Sequence, residues 1–158
     1  MKLGRLEVTI TGSRVTFQGR IDDGSPLGEL AGKIPAGPVT LDTGAVTFVN
    51  SIGMREWIRM LRVLRERGIV TLENVADVLM TQMNLVPELA ENPTMRIASF
   101  HAQYACPKCG NEVAPVVDAI ANADALRQMR APTLPCPECG SDIELGDFPE
   151  RYLTVFKP

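Results

Sequence analysis

The chain lacks any run approaching the roughly 20 uninterrupted apolar residues of a membrane span. Its opening residues, MKLGRLEVTI, lack the apolar core of a secretion signal. A cytoplasmic protein with no membrane span is the expectation. Concentrated positive charge is missing too: Lys and Arg number 16 against 19 Asp and Glu, a net charge of −3. Residues 1–98 balance at 11 of each sign, while residues 99–158 hold 5 basic and 8 acidic side chains. A phosphate-backbone binder needs the opposite balance, so nucleic acid is not the expected partner. What is present, 45% hydrophobic and 22% charged residues over 158 positions, suits one ordinary core plus an appendage.

All four cysteines lie in the acidic part, as CPKCG (Cys106, Cys109) and CPECG (Cys136, Cys139), with 26 residues between Cys109 and Cys136. Paired Cys-x-x-Cys-Gly knuckles match tetrahedral thiolate coordination of zinc, and Gly110 and Gly140 allow the tight turn after each second ligand. A redox dithiol would have one such pair at a helix start within a thioredoxin-like pattern, which this sequence does not show. Structural zinc on Cys106, Cys109, Cys136 and Cys139 is therefore expected. His101 is a spare ligand type nearby, but four thiolates complete the site, so it reads as a strand residue leading into the first knuckle. A closed site has no open position for chemistry, and no nucleophile–base pair is in view. The segment 99–158 resembles a zinc ribbon, a small β-rich module closed by two knuckles.

Residues 1–98 alternate strand and helix patterns. LEVTI and VTFQGRI alternate apolar and polar residues around the turn-forming TGSR, predicting a hairpin. Ser25 and Pro26 have the chemistry of an N-cap and first helical position, and Leu27, Leu30, Ala31 and Ile34 then share one face of a short helix ending before Pro35. PVTLDTGAVTFV reads as a buried strand followed by a loop. In SIGMREWIRMLRVLRERG, Met54, Trp57, Ile58, Leu61 and Leu64 recur at helical spacing, with Gly68 placed as the C′ residue. IVTLEN is then a strand, VADVLMTQMNLVPEL a helix, and TMRIASFHAQYA one final strand running into the first knuckle. Such alternation predicts an α/β layer with parallel later strands.

The order of these elements and the stretch PVTLDTGAVTFVNSIGMREWIRMLRVLRERGIVTLENV resemble the STAS domain of anti-sigma-factor antagonists, over about residues 3–98. The resemblance implies a STAS-like mixed sheet with helices. It sets Asp42 on the family's strand-end Asp, Val46 and Phe48 on its apolar loop, and Asn50-Ser51-Ile52-Gly53 on its Asp-Ser-Ser-Gly turn. It also implies that Ser51 is the phospho-acceptor of a partner serine kinase of the GHKL type, and that an anti-sigma factor is a partner class. The chain departs from the family at Asn50, which replaces Asp, and at Ile52, which replaces the second Ser.

Elementary chemistry leaves two roles open for Ser51. The first turn of a helix presents unpaired N–H groups and partial positive charge, so a hydroxyl there caps the helix and a phosphoryl group there is held more strongly. Either Ser51 or Asn50 suits the cap, while Gly53 leaves room for an approaching phosphate or loop. Arg55, Arg59 and Arg62 share one face of the same helix, with Arg65 and Arg67 close behind. This reads as a solvated face in which Glu66 pairs with Arg62, compatible with an acidic protein partner. Asn50, Ser51, Ile52, Gly53 and Arg55 thus form the candidate partner surface of a non-enzymatic signalling module. The alternative is an unphosphorylated scaffold subunit. Without a Gly/Ser/Pro-rich linker before the first knuckle, the ribbon is expected to be a rigid extension. Phe148, Tyr152, Leu153, Val155 and Phe156 are more apolar surface than the ribbon can bury alone, so part of this tail is expected to pack against the first part or in a homo-oligomer contact.

Overall fold

The computed structural model describes all of residues 1–158. Its main feature is a mixed six-stranded sheet in which spatial order follows chain order. Strands β1 (Lys2–Leu3), β2 (Leu6–Thr11) and β3 (Arg14–Ile21) are antiparallel neighbours, and the expected hairpin turns at Gly12, whose φ of +60° suits glycine. Alternation does what the pattern predicts: Leu6, Val8, Val15 and Phe17 are buried, while Glu7, Thr9 and Gln18 face solvent.

Helix α1 (Leu27–Leu30) continues as a 3-10 turn over Ala31–Lys33, burying Leu27, Leu30 and Ala31, with Ile34 buried just beyond. Ser25 does not cap it. Its hydroxyl is buried, accepts the Asp22 N–H at 3.2 Å and donates to the Arg20 carbonyl at 3.1 Å, so it closes the turn out of β3 instead. Strand β4 (Val39–Val49) lies parallel to β3 and corrects the expected strand and loop. It stays extended throughout because two register shifts absorb its extra residues, one opposite Phe17 and one opposite the Gly19–Arg20 step.

Helix α2 (Ser51–Arg67) buries Met54, Trp57, Met60, Leu61 and Leu64; Ile58 is only half-buried, and Met60 is the core residue on that side. Trp57 meets Phe17 edge-on at 5.7 Å, which fixes it as core. Gly68 is extended (φ 161°) rather than left-handed. Glycine is needed there because a Cβ would lie 2.4 Å from the carbonyl carbon of Gly37. Strands β5 (Val70–Glu73) and β6 (Met95–Ile97) continue the sheet in parallel, with helix α3 (Asp77–Met83) between them. That helix stops sooner than expected, and a 3-10 turn over Pro87–Leu89 follows.

The expected single strand to the first knuckle is divided into β6, β7 (Ser99–His101) and β8 (Tyr104–Ala105). The cause is a change of partners. Ala98 still donates to Leu72 in β5, but His101 donates to the Val75 carbonyl, and β7 pairs outward with β10 (Val116–Asp118). Strands β8, β9 (Glu112–Val113), β11 (Leu134–Pro135) and β12 (Asp142–Leu145) make a small antiparallel sheet ordered β11-β12-β8-β9, and helix α4 (Ala123–Arg127) lies between the knuckles.

Helix α5 (Glu150–Leu153) and a 3-10 turn over Thr154–Phe156 carry the tail back to the first part. Val155 donates its N–H to Asn84 Oδ1 at 3.0 Å, and its carbonyl accepts from Glu91 at 2.8 Å. Phe156 packs on Phe100 with ring centres 5.3 Å apart. Tyr152, Leu153, Val155 and Phe156 are buried, whereas Phe148 is 73% exposed. Forty buried apolar residues, drawn from both sides of residue 98, form one cluster. No helix is long and apolar enough to cross a membrane.

Candidate metal centre and partner surface

The two knuckles have the same backbone. Gly110 donates to the Cys106 carbonyl and Gly140 to the Cys136 carbonyl, each at 2.9 Å, with the glycines at φ +74° and +75°. Cys106 donates to the Asn111 carbonyl at 2.9 Å and Cys136 to the Ser141 carbonyl at 2.7 Å. A non-glycine residue at either turn would be strained, which is why the sequence repeats Cys-x-x-Cys-Gly. Strands β8 and β11 deliver Cys106 and Cys136, both buried, while Cys109 and Cys139 stand exposed at the tips.

All four sulfurs lie within 4.8 Å of one another. Cys106 Sγ is 3.5 Å from Cys139 Sγ, and Cys109 Sγ is 3.7 Å from Cys136 Sγ. These separations far exceed a disulfide bond of about 2.05 Å. They are close to the roughly 3.8 Å edge of a tetrahedron whose metal–sulfur bonds are about 2.3 Å. The four cysteines can therefore hold a metal ion. Their thiols are unequally poised: the Ser141 N–H and hydroxyl, with Cys106 beside them, bring Cys139 down to about 6. An N–H bond at Asn111 favours the Cys109 thiolate, yet desolvation and the surrounding sulfurs push that group up to about 12. Crowded thiolates repel, and a bound cation removes the conflict. His101 is not in the cluster. It lies on β7, where its Nδ1–H donates to the Ala114 carbonyl at 2.8 Å.

At the start of α2 the cap belongs to Asn50, whose Oδ1 accepts the Gly53 N–H at 2.8 Å. Ser51 occupies the first helical position, exposed and free of any capping bond, with Ile52 44% exposed and Arg55 exposed beside it. Gly53 is buried. A Cβ there would stand 2.2 Å from the Ile21 carbonyl oxygen, so the missing side chain lets α2 sit on the end of β3 rather than clearing space for a ligand. Next to this turn a cavity of about 330 Å³ is lined by Arg5, Arg20, Asp22, Asp23, Phe48 and Asn50. The Arg20 guanidinium lies 3.8 Å above the Phe48 ring, and Arg20 Nε is 3.5 Å from Asp22 Oδ2. Arg20 and Asp22 were not legible as site residues, because only the parallel pairing of β3 with β4 brings the two strand ends together.

Asp42 lies within β4 and is structural: its carboxylate accepts from Gly44 at 3.0 Å, Arg14 at 2.8 Å and Asn74 at 3.2 Å, linking β3, β4 and the turn after β5. Val46 is buried in the core, not in a loop, and Phe48 is half-buried. The arginine face is mostly paired. Arg59 bonds Glu56 at 2.9 Å, and Arg62 reaches Glu88 at 2.6 and 3.0 Å rather than Glu66, because the turn after α3 places Glu88 in bidentate reach. The Arg62 hydrogen bonds hold the Glu88 carboxyl below its ordinary value. Comparison of the chain with family models, with curated proteins and with solved structures gives no match.

Proposed function

We propose that the chain is a non-enzymatic signalling module, STAS-like over residues 1–98, that binds a protein partner through the surface around Ser51 and carries a zinc ribbon over residues 99–158. The observation that carries the reading is the division of labour at α2: Asn50 supplies the cap, which leaves the exposed Ser51 hydroxyl without structural duty at a helix N-terminus. A phosphoryl group on that oxygen would add about two negative charges beside unpaired N–H groups that stabilise them, while repelling an acidic partner surface. A serine kinase of the GHKL type or an anti-sigma factor fits as partner. The hairpin followed by parallel strands, with α2 rising from the end of β4, supports the resemblance. The all-thiolate donor set favours zinc, in a closed structural role.

The exposed Ile52, standing where the family has a second serine, favours one other reading, a permanent apolar contact in an unphosphorylated assembly. Affinity capture with wild type and Ser51→Asp, followed by mass spectrometry, separates the two. Phosphate on Ser51, with a GHKL-type kinase captured only by wild type, is the expected result. An unphosphorylated complex captured equally by both proteins would establish the scaffold.

A further inference from the structure

The outer edge of β6 is closed to main-chain partners. The Met95 N–H and carbonyl are both bonded to Asn92, the Ile97 N–H donates to Glu91 Oε2 at 2.8 Å, and the Ala98 carbonyl accepts from Ala119 at 2.9 Å. Against this edge lies a groove of about 450 Å³. Because the backbone beside it already has its hydrogen bonds, an occupant is recognised by side chains alone.

Those side chains come from three elements and from both parts of the chain: Arg96 from β6, Arg127 from α4 and Lys157 from the tail. Residues 99–158 hold only 5 basic side chains, and Arg127 and Lys157 are two of them. Arg96 and Lys157 make no ion pair, and Arg127 meets only Asp124, at 3.6 Å and almost wholly in solvent. No ion pair joins the three cations to Glu91 or Pro158, which line the same groove, and the Glu91 carboxylate is engaged by Ile97. Positive charge is thus left uncompensated here in a chain of net charge −3. The rest of the lining is partly apolar: Phe156 is buried, and Ile120 is 64% exposed. Two guanidinium forks match carboxylate or phosphate oxygens, and an apolar wall favours a hydrocarbon or aromatic body that carries them. The volume lies within the roughly 300–1,000 Å³ of small-molecule sites. A nucleic acid would instead require a longer basic track and exposed aromatic platforms.

We propose that this groove is a binding site for a small organic anion, a compact apolar body bearing two or more negative charges as carboxylate or phosphate, held between Arg96 on one side and Arg127 and Lys157 on the other. The ligand bridges the two parts of the chain, so its binding stabilises their junction by mass action. No residue of the groove belongs to the Ser51 surface, so the inference goes beyond that reading and stands or falls apart from it.

The test titrates the full chain with trimesate, an aromatic tricarboxylate, and with phenyl phosphate, reading amide chemical shifts by NMR and the melting temperature. Benzoate supplies the apolar body with one charge, inorganic phosphate the charge without a body, and hexaglutamate an acidic peptide. Trimesate or phenyl phosphate should shift the amides of Arg96, Ile120 and Lys157 saturably, leave those of Cys109 and Cys139 unmoved, and raise the melting temperature; which of the two binds tells carboxylate from phosphate. Arg96→Gln with Arg127→Gln should weaken binding by about tenfold or more, while Arg130→Gln, at an exposed position outside the groove, should not. Binding of neither aromatic anion, equal binding of inorganic phosphate or benzoate, tighter binding of hexaglutamate, or affinity indifferent to the arginine pair would overturn the proposal.

Discussion

The two parts of the chain are held together in different ways. Before residue 98, long strands and a 17-residue helix give the chain enough aligned apolar surface to make a core without help. After it, strands are 2–4 residues long, and the buried apolar side chains belong to the one cluster shared with the first part. Such a segment cannot nucleate its own core and depends on a cross-link and a host. A metal ion held by the four clustered cysteines would supply the cross-link. Val75, Asn84 and Glu91 supply the host contacts, through β7 and Val155.

That contrast is tested most severely by taking away whatever metal the four cysteines hold. Chelation, or Cys106→Ser, should abolish amide-exchange protection across residues 99–158, since four-ligand zinc sites contribute about 10 kcal/mol or more of folding free energy. Because β7 and the tail are bonded to the first part, protection should also fall at Asn84, Glu91 and Met95. Loss confined to residues 99–158 would show two independent modules.

Truncating the tail probes the same junction from the apolar side. Phe156→Ala should cost about 3–5 kcal/mol in urea unfolding, because Phe156 is buried against Phe100. Phe148→Ala, at a 73% exposed position, should change stability by less than about 0.5 kcal/mol. Equal effects would mean that the tail is not a structural strap.

A third test contrasts the roles of neighbouring residues at α2. Gly53→Ala drives a Cβ into the Ile21 carbonyl and should destabilise by about 1–3 kcal/mol, while Asn50→Ala removes the cap at about 1 kcal/mol. Ser51→Ala should leave the melting temperature unchanged, as a hydroxyl without a capping bond must.

These residues also mark what was legible from sequence. The periodicity of α2 and the spacing of the cysteines are local signals, and both the helix and the cluster stand where they predicted. Ser25 and Gly53 carry local signals too, but the structure uses them differently: the turn through Arg20 and Asp22 takes the Ser25 hydroxyl, and the end of β3 takes the space at Gly53. The division of the last strand and the Arg62–Glu88 pair depend on partners distant in sequence. No window of neighbouring residues contains them.

Tyr104, buried with its hydroxyl donating to the Pro132 carbonyl at 2.7 Å, has its ionisation pushed up to about 12 by desolvation. The folded state keeps this proton where the unfolded chain has lost it, so the phenol's contribution is complete below the ordinary tyrosine value of about 10 and is lost as pH rises towards 12. Tyr104→Phe should flatten that alkaline loss and cost about 1 kcal/mol at neutral pH for the missing hydrogen bond.

The smallest effect belongs to the Arg62–Glu88 pair, and it separates a paired arginine face from a docking face. Both side chains reach solvent, so stability should barely respond to Arg62→Ala. The titration of Glu88 should respond. Its carboxyl is held low by the Arg62 hydrogen bonds, so the pair's contribution is complete above the ordinary glutamate value and is lost as pH falls through the lowered one. Carboxyl chemical shifts followed by NMR should show Glu88 titrating higher in the variant. An unmoved titration would mean that Arg62 does not hold Glu88 in solution and is available to a partner. In that case the arginine face of α2 would join Ser51, Ile52 and Arg55 in one docking surface.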